Sequence, residues 1–245
     1  MIRHQDNDNN PIKNQLLAAL PEREFERMFP KMEETALVYN TDIYKLHDTI
    51  RDVYFPNSGI ISLLAAVDDS ATTEVGIVGR EGMVGLPIFL GVKISRVRAV
   101  VQGTGRALRM KAGDFQAECA RGGMLSGILR RFANSMMVQI SQSAVCFRFH
   151  LIEQRLARWL LMTADRMETD DFKVTQEFLS NMLGVRREAV NRAARALEEQ
   201  GLLANSRGSI EITDRPGLEA ASCVCYSVVR QEEDRVLAAE QAGGL

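Results

Sequence analysis

The sequence predicts an α+β chain: an N-terminal antiparallel β-roll, a long helix, and a C-terminal helix-turn-helix followed by a β-wing. Three observations predict it. Short β-like runs separated by glycine turns crowd the region from about Thr35 to Met110. A helical run from Gly123 to His150 has its apolar residues at spacings of four and three. Residues 174–203 then read as two short helices broken at Gly184, the second with arginines along one face.

The elements can be justified in order. Residues Asn14 to Phe29 predict one helix, with Leu16, Leu17, Leu20, Phe25 and Phe29 apolar. The strand-like runs are Val53 to Gly59, Ile60 to Leu64, Thr73 to Val78 and Ala99 to Met110, a spacing that suits a small barrel or roll over residues 14–120. In the long helix, placed at residues 121–150, Leu125, Leu129, Phe132, Met136, Gln139 and Ser143 make a coiled-coil seam for a homodimer. The alternative for such a row is a helix buried inside its own domain. An amphipathic helix from Leu151 to Asp165, with Leu156, Trp159, Leu160 and Met162, leads into a terminal domain placed at residues 151–230.

Within that domain Thr175 is a candidate N-cap and Glu177 suits the first turn of the helix it opens. At about 100° per residue, Arg187, Glu188, Asn191, Arg192 and Arg195 share an arc of about 140°. Val190, Ala193, Ala194 and Leu197 occupy a separate arc, so one side packs and the other is free to read. Arginine can fork two donors onto guanine, asparagine can pair with adenine, and glutamate can accept from the cytosine amine. The plainer reading is an amphipathic hairpin with a solvated charged face. The run Leu202 to Ile212 shifts the balance, because two short strands about a Ser206-Arg207-Gly208 turn make a wing whose Arg207 can reach a phosphate.

Composition bounds the rest. With 245 residues, 46% of them hydrophobic and 25% charged, the chain can fill two domains. The net charge of −2 argues against a broadly basic coat, yet Arg186 to Arg195 holds four arginines and one glutamate. Both termini are expected to fray. With no apolar leader and no apolar stretch long enough to span a bilayer, no membrane role and a cytoplasmic location are expected. The four cysteines, Cys119, Cys146, Cys223 and Cys225, read as free thiols. Cys223-Val-Cys225 lacks a second half, and His4, His47 and His150 show no ligand spacing, so no metal and no cofactor are expected. No nucleophile elbow or phosphate loop is present, which argues against an enzyme.

Taken together these motifs resemble the Crp/Fnr superfamily of bacterial transcription regulators over about residues 14–225. Gly184-Val-Arg-Arg187-Glu188-Ala-Val-Asn-Arg192 is similar to that family's G-x-S-R-E-x-x-x-R turn and recognition helix. The resemblance implies base-reading roles for Arg187, Glu188 and Arg192, and a phosphate contact for Gln176. Arg186 stands where the family often has a capping serine. Val53-Tyr-Phe-Pro-x-Ser-Gly59 and Gly79-Arg-Glu-Gly82-Met83-Val84-Gly85 resemble the family's cyclic-nucleotide-binding-like jelly roll. They imply an effector pocket about Gly82, Met83, Gly85, Ser95 and Arg96. Met83 replaces the glutamate that holds the ribose, and Ser95-Arg96 reverses the phosphate-gripping pair, so the usual cyclic nucleotide grip is missing. Iron-sulfur sensing of the Fnr type needs N-terminal cysteines, and the first cysteine is Cys119. The implied partners are near-palindromic double-stranded DNA, a second copy of the chain, RNA polymerase, and either an unidentified small-molecule effector or none. A cyclic-nucleotide-responsive regulator and a thiol-based redox sensor using Cys146 or Cys119 are the alternatives.

Overall fold

The computed structural model describes residues 12–66, 72–206 and 208–242. The expected fraying of residues 1–11 and of the last three residues, and the wing-tip position of Arg207, lie outside the described residues.

The expected first helix is two: α1 (Gln15–Ala18) and α2 (Glu22–Met28). Pro21 separates them, since it lacks an N–H and disfavours helical geometry in the residue before it. Among the described residues the roll has seven strands: β1 (Met32–Leu37), β2 (Asp42–Tyr44), β3 (Asp52–Pro56), β4 (Ile60–Ala66), β5 (Thr72–Val78), β6 (Arg98–Gly103) and β7 (Gly105–Lys111). All pair antiparallel, in one sheet of order β1-β7-β3 and another of order β2-β6-β4-β5. The run from Ala99 to Met110 is therefore two strands. The chain passes from one sheet to the other at Thr104, and a Cβ on Gly59 would come 2.6 Å from the Gly103 carbonyl oxygen at that crossing. Only a residue without a side chain fits there, and Gly59 also has a φ of +82°. Val53, Phe55, Ile61, Val78, Val101 and Leu108 fill the space between the sheets.

After α3 (Leu86–Phe89) and α4 (Ala112–Ala120) comes the long helix α5 (Met124–Phe149). Leu125, Leu129, Phe132, Met136, Gln139 and Ser143 are all buried by the chain itself. Gln139 pairs with β5 as a neighbouring strand would: its Oε1 accepts from the Ile77 N–H at 2.6 Å and its Nε2 donates to the Ile77 carbonyl at 3.3 Å. Phe132 packs where a side chain on Gly82 would otherwise stand. The expected dimer seam is thus the face that seals α5 to the roll. The spacing of four and three is common to both uses of a helix; of the polar members at its end, Gln139 serves the sheet edge and Ser143 donates to the Gln139 carbonyl.

The terminal domain contains α6 (Ile152–Met167), β8 (Asp171–Lys173), α7 (Gln176–Leu183), α8 (Arg187–Glu199), β9 (Leu203–Ser206), β10 (Ser209–Ile212) and α9 (Arg215–Ala221). Its wing is a three-stranded sheet of order β8-β10-β9, one strand more than expected. A last helix, α10 (Cys225–Ala242), had no counterpart in the sequence reading and packs back along α5 and α6. The domain's core is continuous with the roll, since Ile60, Leu64, Ile77 and Val100 join Leu156, Trp159, Leu160 and Leu179 in one cluster. Among the described residues no helix is long and apolar enough to cross a membrane.

Candidate nucleic-acid interface

Thr175 caps α7, its hydroxyl accepting from the Phe178 N–H at 3.1 Å. Gly184 ends the helix in the left-handed region at φ +60°, which turns the chain into α8 within three residues. Val190, Ala193, Ala194 and Leu197 are the buried residues of α8. The opposite side carries Arg187, Glu188, Arg192 and Arg195, all exposed, with Arg186 just before the helix. Arg186 occupies the N-cap with no side-chain cap bond, so the first amides of the helix have no capping side chain and face solvent or a phosphate, while the Ala189 N–H turns back to the Arg186 carbonyl at 3.0 Å. Gln176 and Asn191 are half-buried. The Oδ1 of Asn191 is enclosed and has no hydrogen-bond partner, which places it at the edge of the face rather than on it.

None of the four arginines forms an ion pair among the described residues, whereas most other arginines of the domain do. Arg215, for example, meets Asp165 and also approaches Asp170 at 3.5 Å. Four cations within ten residues, left unneutralised by the fold, are an electrostatic footprint for a polyanion.

The residues expected to line an effector pocket are mostly taken up by packing. Met83 is a fully buried core residue, Gly82 makes room for Phe132, and Gly85 lies against Val53 with a φ of +102°. The Ser95 hydroxyl is spent on the Val97 carbonyl at 2.6 Å, and Arg96 is exposed. A methionine in place of a glutamate lets this region close as ordinary apolar core. A cavity of about 500 Å³ opens between roll and terminal domain, lined among others by Tyr39, Gln102, Trp159, Thr163, Phe172 and Phe178.

The cysteines depart furthest from expectation. Cys146, Cys223 and Cys225 are buried together, and His150 joins them. The missing second half of the Cys223-Val-Cys225 pair comes from the end of α5. The signal that could have found it is the spacing of Cys146 and His150, four residues apart and hence on one helix face. Cys119 lies apart from them, and burial together with the charge of Glu118 pushes its thiol up to about 11. It is therefore protonated at neutral pH, which counts against a thiolate sensor at that position.

Residues 154–221 match the Crp-like helix-turn-helix domain family. No curated protein sequence matches the chain at a significant level. Among solved structures the chain is similar to a transcriptional regulator of the Crp/Fnr family from Eubacterium rectale, at 17% identity over 88% of this chain and 99% of that one, with a TM-score of 0.64. It is also similar to FixK2 of Bradyrhizobium japonicum, at 16% identity over 79% and 98%, with a TM-score of 0.68. A third is the c-di-GMP responsive global regulator CLP of Xanthomonas campestris, at 18% identity over 78% and 99%, with a TM-score of 0.63. At these identities the likeness is one of fold. Residues 154–221 thus carry a Crp-like helix-turn-helix domain, and the chain around it shares the fold of these regulators.

Proposed function

We propose that the protein is a homodimeric, sequence-specific DNA-binding transcription regulator. The observation that carries this reading is the exposed face of α8, where Arg187, Glu188, Arg192 and Arg195 stand free of ion pairs in a Crp-like helix-turn-helix domain. In it, Arg187, Glu188 and Arg192 read base edges in the major groove, while Gln176, Arg186 and the N-terminus of α7 hold phosphates. Arg207 is assigned to a phosphate beside the wing.

The dimer seam is reassigned. Met137 and Ile140 are among the exposed large apolar residues, and with Ala133 and Ala144 they form a row spaced four, three and four along α5. This row lies roughly 80–100° round the helix from the buried one. Paired along it, two copies would present their α8 helices to successive turns of a near-palindromic site. The shift between DNA-competent and incompetent arrangements is then a change in how the terminal domain sits on the roll, biased by an effector in the cavity between them or present without one. RNA polymerase is the partner such a regulator would address.

The test is selection of bound sites from random duplex DNA by the purified full chain, with and without cyclic mono- and dinucleotides. A palindromic consensus supports the reading. Failure to enrich any sequence under every condition overturns it. Arg187→Ala is expected to cost about 1–3 kcal/mol of specific binding and to relax preference at one base pair, measured by competition with single-position site variants.

A further inference from the structure

Four side chains that can ligate a metal meet where the terminal domain joins the rest of the chain. Cys146 and His150 lie one helical turn apart at the end of α5, and His150 has left the helix with φ −109° and ψ 147°. Cys223 and Cys225 precede and open α10. Val224 between them points outward and is 65% exposed, so the two thiols face the same way. The Cys146 and Cys223 sulfurs are 3.5 Å apart, the Cys225 sulfur is 3.6 Å from Nδ1 of His150, and all four ligand atoms lie within 4.8 Å of one another.

A tetrahedral zinc ion with Zn–S bonds of about 2.3 Å sets its ligand atoms about 3.8 Å apart along each edge. The spacing here already approaches that figure. A cluster this tight would hold a single ion, with no room for several irons and their bridging sulfides. The three cysteines also form a cluster of their own, apart from both large apolar cores, so sulfur meets sulfur rather than aliphatic carbon.

The surroundings suit a charged centre. Three thiolates and one divalent ion sum to a single negative charge, which a dry interior must neutralise. Arg155 and Arg158 are both buried, neither has a carboxylate partner in an ion pair among the described residues, and the Nε of each lacks a hydrogen-bond partner. Arg158 acts electrostatically on all three thiols and Arg155 on two of them. His150 is half-buried, which leaves an entry path on its side.

We propose that Cys146, His150, Cys223 and Cys225 form a Cys3His site for one divalent ion of the zinc type, which ties the two chain segments entering and leaving the terminal domain. Binding requires each thiol to give up its proton, so three protons pass to solvent as the ion is taken up. No DNA-binding role enters the proposal, and it stands or falls separately from one.

The full chain, purified under reductant, is expected to hold one zinc per chain by elemental analysis. After exchange it should bind one equivalent of Co(II) with the visible bands of a tetrahedral site and a thiolate charge-transfer band in the near ultraviolet. His150→Ala is expected to weaken Co(II) binding at least tenfold and to alter those bands. Cys119→Ser, outside the cluster, should leave stoichiometry and spectrum unchanged. Should Cys146→Ser or Cys225→Ser fail to fold, titrating the wild-type chain with a mercurial decides the matter: zinc should be released as three thiols react. Absence of stoichiometric binding by the reduced chain overturns the proposal, as does binding undiminished in a folded Cys146→Ser/Cys225→Ser variant. A Cys146–Cys223 disulfide that persists under reductant overturns it equally.

Discussion

Ser62 has one hydroxyl hydrogen and two acceptors, Glu74 Oε2 at 2.7 Å and Gln102 Oε1 at 2.6 Å. The conflict resolves if Glu74 carries a proton: it then donates to Ser62, which donates to Gln102, whose Nε2 donates to Thr163 on α6. Burial pushes the Glu74 carboxyl up to about 7, although Ser62 and Arg158 pull the other way. The folded value lies above the unfolded one of about 4.3, so folding takes up a proton and its contribution is fully present only below that value. It is lost as pH rises through about 7, amounting to about 4 kcal/mol across the interval. Glu74→Gln keeps a donor without the charge, so its melting temperature should vary less with pH between about 4 and 8 than that of the wild type. At Arg186 two roles separate. Arg186→Ser should restore a cap worth about 1 kcal/mol in thermal melts, and should weaken DNA binding with a salt dependence lower by about one counterion. The reading face of α8 was legible in sequence because helical period alone fixes which residues share a side. The cysteine cluster was not, because Cys146 and Cys223 are 77 residues apart and only the packing of α10 on α5 brings them together.

At the level of elements, α5 shows where periodicity stops informing. Leu129 and Met137 both fall on apolar rows with heptad-like spacing, and nothing local distinguishes the row that seals the roll from the row left bare. Their burial differs completely, at 0% and 61% exposure. Met137→Glu is expected to dissociate a dimer into monomers that keep the wild-type circular dichroism, as judged by sedimentation. Leu129→Ala should instead lower stability by about 2–5 kcal/mol in denaturant melts with the oligomeric state unchanged. The helical runs Gly123 to His150 and Leu151 to Asp165 fall within two residues of α5 and α6, since both helices are long and strongly periodic. The break at Pro21 was missed because the apolar residues on its two sides keep a helical rhythm. β8 was missed because three residues are too few to show alternation; its place is set by pairing with β10.

For the whole molecule the decisive contacts join the parts. Arg166 on α6 is buried and donates from Nε to Glu81 of the roll at 2.8 Å, from a terminal nitrogen to Glu233 of α10, and from the other to the Met162 carbonyl at 3.0 Å. Burial opposes its charge, but Glu233 and Glu81 outweigh that and hold the guanidinium above its usual range. Arg166→Ala strands two largely buried carboxylates and should cost about 3 kcal/mol, read from denaturant midpoints. Limited proteolysis should then cut first between roll and terminal domain. Such contacts are invisible in sequence, as Glu81, Arg166 and Glu233 belong to three separate segments.

The chain enters the terminal domain beside His150 and leaves it beside Cys223, and these two places touch. The covalent connections of the domain are thereby gathered at one end, and its remaining hold on the roll is the packing of the shared core. Any motion that loosens this packing is a rotation about the pinch as fulcrum, so the displacement of each residue grows with its distance from it. A slight tilt there is magnified along the arm and is felt most at its far reaches, which makes stiffness at the fulcrum the property that decides how sharply the arm responds.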